Sequence, residues 1–306
     1  MNLSRRAFLA GATLLLARAR ADTPPGRTRL ILLGTAGGPT PKARRAAPSQ
    51  AIVVGNRIYL VDCGDGVARQ LVLAGLPIQQ LRKVLITHQH SDHNAGYGPL
   101  FLLSWGAALS RPVDVYGPPP LIEMTRHLLE AYDYDITLRM KDEERPPLAP
   151  LIRPHEITRA GEVFNDDGVR VTAALNEHPP IQYSFAYRFD TPDRSIVISG
   201  DTRAAKSVIA LAKGADVLVH EALYREYFER PDAPQPPAVV RHILASHTDV
   251  ADVARVAAEA GVKTLVLSHF VPTEGADAPT DEQWLAKARE HFKGEIILGQ
   301  DLLEIR

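Results

Sequence analysis

One cysteine, Cys63, in a chain of 306 residues excludes an internal disulfide framework and a cysteine-rich zinc finger. Glycine and proline, at 21 and 24, fall far short of a collagen-like or low-complexity composition, and 23% charged residues exclude a disordered one. Basic residues are not in surplus, since 35 Lys and Arg face 36 Asp and Glu. The apolar run at 7–17 is too short to cross a bilayer as a permanent anchor. What the chain does have is a 45% hydrophobic share, enough for one large α/β domain or two small ones. It also has eleven histidines, a high count beside a single cysteine.

The N-terminus stands apart. Ser4-Arg5-Arg6-Ala7-Phe8-Leu9 is a paired-arginine start, and Ala19-Arg20-Ala21 places small residues at the two positions a signal peptidase reads. Together with the apolar run between them, these resemble a twin-arginine export signal, cleaved after Ala21. A mature protein of 22–306, periplasmic or secreted, is the expectation, and a lone cysteine suits an oxidising destination. Residues 1–21 carry four arginines and no acid, so their loss takes the formal charge from −1 to −5. An acidic protein lacks the surplus of Lys and Arg that a nucleic-acid backbone attracts, which disfavours nucleic acid as a partner.

Strand-like apolar runs recur at 29–33, 51–54, 58–62, 83–87, 113–116, 169–175, 184–189, 195–199, 217–220, 264–268 and 295–298. Helical spacing of three and four marks 66–76, 121–132, 202–212, 248–260 and 281–292. The first part is strand-rich with short turns, and strands later alternate with helices. That order predicts two sheets with helices packed outside, an αββα sandwich forming a single domain over 22–306. Two segments interrupt it. Residues 104–154 hold Trp105, Pro118-Pro119-Pro120, Tyr132 and Tyr134, and read as an inserted surface segment lying as a lid over a site. Residues 230–237 form a second proline-rich loop, for which a plain linker is an equal expectation.

Thr87-His88-Gln89-His90-Ser91-Asp92-His93 follows directly on an apolar run. Three histidines and an aspartate within six positions are hard to explain as packing. Imidazole and carboxylate suit zinc, iron or manganese, and no thiolate competes. A tight turn there can aim His88 and His90 at one metal while Asp92 and His93 turn to another.

That motif resembles the metallo-β-lactamase superfamily. Leu33-Gly34-Thr35-Ala36-Gly37-Gly38 and Val61-Asp62-Cys63-Gly64-Asp65-Gly66 resemble the N-terminal signatures of its ribonuclease Z branch, whose relatives include zinc phosphodiesterases and exported arylsulfatases. The likeness continues through Asn176-Glu177-His178-Pro179-Pro180, Ser199-Gly200-Asp201-Thr202-Arg203, Ser246-His247-Thr248 and Leu267-Ser268-His269-Phe270. The resemblance implies that His88, His90 and His178 hold a first metal. It likewise gives Asp92, His93 and His269 to a second, with Asp201 bridging both. Zinc is the expected metal, with iron or manganese as alternatives. Glu221 and His247 resemble the pair in which a carboxylate orients an imidazole toward the leaving group. Asp62 is a candidate to hydrogen-bond a ligand histidine's outer N–H, with a purely structural strand-end role as the alternative. His127, His155, His220, His242 and His291 fall at ordinary positions and carry no assigned chemistry.

Such a pair of metals activates a water for attack on a phosphorus, sulfur or carbonyl centre, with Asp92 orienting it and His247 serving the departing oxygen. For tRNA 3′ processing the resemblance implies a long substrate-gripping arm between the third histidine and the bridging aspartate. Here His178 and Asp201 stand only 23 positions apart. The expectation is therefore an exported binuclear hydrolase of a small sulfate ester or phosphodiester, its pocket shaped by the 104–154 insertion. A ribonuclease Z-type tRNA 3′-processing endonuclease, a carboxylic-ester or lactone hydrolase, and a metal-binding scaffold without catalysis are the alternatives.

Overall fold

The computed structural model describes residues 27–166, 168–233 and 235–306, so the export signal expected at 1–21 lies outside the described residues. Among the described residues, fourteen strands make two seven-stranded sheets. The first sheet holds β1 (Arg29–Gly34), β2 (Ser49–Val54), β3 (Arg57–Val61), β4 (Leu81–Leu85), β5 (Val113–Gly117) and β6 (Ile152–Glu156). The second holds β7 (Gly161–Asp166), β8 (Val169–Leu175), β9 (Phe185–Asp190), β10 (Ser195–Ile198), β11 (Val217–Leu223), β12 (Thr264–Val271) and β13 (Glu295–Leu298). The chain then crosses back, and β14 (Leu303–Ile305) closes the first sheet against β1. Strand order is β14-β1-β2-β3-β4-β5-β6 in one sheet and β13-β12-β11-β10-β9-β8-β7 in the other. Each sheet begins antiparallel and ends parallel, from β3 to β6 and from β10 to β13.

Both faces of the central strands are apolar, which is why they read as continuous hydrophobic runs rather than alternating ones. In β1, Leu30 and Leu32 point between the sheets, where they meet Phe185, Tyr187, Val219 and Val266 of the second sheet's core. Ile31 and Leu33 point outward into a separate layer under the helices, with Leu71, Leu100 and Trp105. The second sheet repeats this, with Val197, Leu218 and Leu265 covered by Val208, Val253 and Trp284 of its outer helices. The result is the αββα sandwich that the order of elements predicted.

The proline-rich 104–154 segment departs from expectation, since it is no lid. Its strand β5 lies inside the first sheet, parallel to β4 and β6. Helices Leu121–Ala131 and Asp133–Asp142 follow. Trp105 is buried in the outer core, its Nε1–H donating to Pro146 O at 2.9 Å while the Arg145 guanidinium lies 5.4 Å from the ring centre. Leu109, Val113, Val115, Leu121, Leu148 and Leu151 are buried with it. A segment with that much apolar surface gains more by covering the sheet than by arching over solvent. β6 escapes a sequence reading because Pro154 interrupts it, and proline is tolerated there because β6 is an edge strand.

Replacing Trp105 by alanine should cost about 3–5 kcal/mol of unfolding free energy in urea. A loss within about 0.5 kcal/mol, as for an exposed loop, would contradict its place in the core.

Candidate metal centre

The structure gathers all ten residues singled out in the sequence into one crevice, where loops from the edges of the two sheets and the end of the helix Pro237–Ser246 face each other. The turn after β4 carries His88, His90, Asp92 and His93, and the last two open the short helix Ser91–Asn94. The loops after β8 and β10 bring His178 and Asp201, while His269 sits within β12. Glu221 pairs with Ser268 and Ala222 with Phe270, so His269 is the extra residue of a bulge, at φ 46°. That bulge turns its imidazole toward the crevice. Gly200, at φ 60°, precedes Asp201 where a Cβ would stand 2.7 Å from Phe185 O. Only glycine lets that turn form.

Among the described residues three groups of donor atoms are each drawn together within 4.8 Å, two built on Asp201 and a third that joins Glu221, His247 and His269. In the first, His90 Nδ1 lies 3.0 Å from His88 Nε2 and 3.1 Å from His178 Nε2. In the second, His93 Nε2 lies 3.3 Å from His269 Nε2 and 3.5 Å from Asp92 Oδ2. Asp201 Oδ2 belongs to both, at 3.8 Å from His88 Nε2, 3.4 Å from His93 Nε2 and 3.2 Å from His269 Nε2.

Outer hydrogen bonds decide what these nitrogens offer. The Thr87 hydroxyl donates to Asp62 Oδ2 at 2.9 Å, so it receives the bond from His88 Nδ1 at 3.0 Å. His178 Nδ1 donates to Ser246 O at 2.9 Å, and His93 Nδ1 donates to Asp62 Oδ2 at 2.8 Å. Each ring thus spends its outer N–H on a protein acceptor and turns a lone pair inward. Lone pairs and carboxylates so close repel one another unless a positive charge sits among them. Asp201 Oδ1 and His269 Nδ1 are buried with no hydrogen-bond partner among the described residues. The electrostatics carry the same demand. Burial opposes a charged His93, yet Asp201, Asp92 and Asp62 reverse this and raise it well above the usual histidine range. Burial also disfavours a charged Asp92, but His93 and His269 hold it down to about 2. Burial keeps His88 neutral, well below its usual range. Nitrogen and oxygen donors without sulfur fit a divalent metal, usually zinc.

Beside these groups, Glu221 Oε1 accepts from the backbone N–H of Thr202 at 3.0 Å and of Thr248 at 3.2 Å. Its Oε2 lies 3.1 Å from His247 Nδ1. Burial lowers the affinity of His247 for a proton, but Glu221 outweighs this and brings its pKa up to about 9. His247 caps the C-terminus of the helix Pro237–Ser246, one link before Asp249 caps the next, rather than opening a helix. Arg203 pairs with Glu177 at 2.6 Å on the surface.

A cavity of about 450 Å³ opens in front of the cluster. Its walls include 37–40, Lys42, 271–274, and Phe228, Gln235, Val239, His242 and Ile243. None comes from 104–154; the helix that follows the second proline-rich loop supplies one wall. His242 is the site residue that sequence reasoning missed. Its ring centre lies 6.1 Å from those of His90 and His178, and burial and the nearby His247 lower its pKa. The available signal was its place one helical turn before Ser246 and His247.

Residues 57–270 match the model of the beta-lactamase superfamily domain. A ribonuclease Z of Mycobacterium bovis is 37% identical over 276 residues, spanning 89% of this chain and 96% of its own. The chain belongs to the metallo-β-lactamase superfamily, alongside relatives that carry the name ribonuclease Z. Among solved structures, the metallo-β-lactamase fold protein YhfI of Bacillus subtilis superposes with a TM-score of 0.68 at 21% identity, covering 91% of this chain and 98% of that one. The short form of human tRNase Z gives 0.63 at 22% identity, with the same coverage. These two show the fold.

The relatives overturn the expectation of a sulfate-ester or small-ester hydrolase for which nucleic acid is a disfavoured partner. A match over 96% of a ribonuclease's length outweighs a net charge and a short spacing. Net charge sums the whole surface, whereas a nucleic acid meets only one face of it. Lys42 lines the cavity itself, and Arg44 and Arg45 follow on the same loop.

Asp62→Asn preserves the shape and tolerates the φ of 61° at that position, but weakens the acceptor that orients His93 and Thr87. Zinc affinity should fall roughly 10–100-fold in a competition titration with a chromophoric chelator, with the circular dichroism unchanged. Unaltered affinity would contradict the orienting role.

Proposed function

We propose that this protein is a metal-dependent phosphodiesterase that cleaves RNA, in the manner of tRNA 3′-end processing. In this reading His88, His90 and His178 hold one zinc ion, Asp92, His93 and His269 hold a second, and Asp201 is shared. The observation that carries it is the position of Asp201 Oδ2, within 4 Å of imidazole nitrogens from both groups. The ribonuclease relatives point the chemistry at a phosphodiester. Bound divalent metal supplies Lewis acidity at the phosphoryl oxygens and lowers the pKa of water.

The chain's own groups do the rest. Asp92, ionised, takes a hydrogen bond from Gly38 N–H at 3.1 Å and offers an acceptor to the attacking water. A P–O bond to that water's oxygen forms as the bond to the ribose 3′-oxygen breaks. His247, its Nδ1 held by Glu221, gives the proton from its other nitrogen to that departing oxygen. A pKa of about 9 keeps this imidazole protonated at neutral pH, so the donor is present below that value and is lost above it. The products are a 3′-hydroxyl on the tRNA side and a 5′-phosphate on the trailer.

Zinc-loaded protein should remove the 3′ trailer from a tRNA precursor and lose that activity in chelator. His247→Ala should lower turnover by about 10²–10⁴-fold while leaving zinc content unchanged. Equal losses of zinc and turnover would assign His247 to holding the site together instead.

A further inference from the structure

We propose that His242 is a specificity-determining residue, accepting a hydrogen bond from the ribose 2′-hydroxyl of the nucleotide whose 3′-oxygen departs. This rests on the RNA reading above. His242 lines the same cavity as His90, Asp92, Asp201 and His247. It belongs to none of the converging metal-ligand groups among the described residues. Its hydrogen bonding is set from behind. Ser246 Oγ donates to Pro179 O at 2.5 Å, so toward His242 Nδ1, at 3.4 Å, it can only accept. His242 therefore donates through Nδ1, which leaves Nε2 as the acceptor of a ring that lines the cavity.

An acceptor in front of a metal cluster calls for a donor on the substrate. Non-bridging phosphate oxygens and the departing 3′-oxygen offer none, whereas a ribose 2′-hydroxyl does. The position agrees. The ring centres of His242 and His247 lie 6.5 Å apart. Neighbouring imidazoles suit the neighbouring 2′- and 3′-oxygens of one sugar, with His247 serving the second. Val239 and Ile243 on the same helix, with Phe228 beside them, give the sugar and base an apolar wall.

The test uses the zinc-loaded protein and three substrates: a tRNA precursor with a 3′ trailer, the same RNA with one 2′-deoxynucleotide on the 5′ side of the scissile phosphate, and bis(p-nitrophenyl) phosphate. The natural protein should prefer the all-ribose RNA by about tenfold, the worth of one buried hydrogen bond. In His242→Ala that ratio should fall to about one, with the loss concentrated on the all-ribose substrate. His242→Gln, which keeps an acceptor, should restore part of it. A ratio that survives in His242→Ala would overturn the proposal. So would parallel losses on all three substrates with loss of zinc, which would make His242 part of the metal site. Absence of any ribose preference in the natural protein would overturn it while leaving the RNA reading intact. Turnover of bis(p-nitrophenyl) phosphate with cleavage of neither RNA would instead overturn the RNA reading, and this inference with it.

Discussion

The fold converges on one crowded point. Around Asp201 Oδ2, imidazole nitrogens stand at 3.2 to 4.0 Å, and His88, His93 and His178 among them spend their outer N–H groups on protein acceptors and turn lone pairs inward. Such an arrangement is repulsive by itself and becomes attractive only around positive charge. The architecture holds it in place. His88, His90, Asp92 and His93 come from the first sheet, and His178, Asp201 and His269 from the second. The cluster therefore exists only when the interface between the sheets is packed, and the Leu30, Leu32, Phe185 and Tyr187 core beneath it is part of the site.

Building that point has a conformational cost. Asp62 and His269 both take left-handed backbone, at φ 61° and φ 46°, and each costs on the order of 1–3 kcal/mol. Asp62 is compensated by three hydrogen bonds, from Thr87 N–H, the Thr87 hydroxyl and His93 Nδ1. It thus fixes in one carboxylate the turn that launches the histidines and the orientation of one of them. Glu221 works the same way on the other side, anchored by two backbone N–H groups before it meets His247.

The layers and the His88–His93 cluster were legible in the sequence because they rest on local signals, whereas His178, Asp201 and His269 joined that cluster only through the family resemblance. Apolar runs buried on both faces mark the central strands, and the dense His88–His93 motif has no packing explanation. What was illegible depends on distance. β14 has only three residues and forms because β1 needs an edge partner. The 104–154 segment resembled a loop because its prolines and charges dominate locally, while the sheet it covers lies elsewhere in the chain. His242 looked ordinary because its meaning comes from Pro179 and His247, reached only through the fold. Substrate class was misjudged for a related reason, since a chain-wide charge balance does not report the charge on one face.

The most direct test is anomalous diffraction from zinc-loaded crystals, collected on both sides of the zinc edge. A centre shared through Asp201 requires two peaks, one among His88, His90 and His178 and one among Asp92, His93 and His269, each about 2.0–2.2 Å from an Asp201 oxygen. A single peak, or two that leave Asp201 uncoordinated, would contradict it.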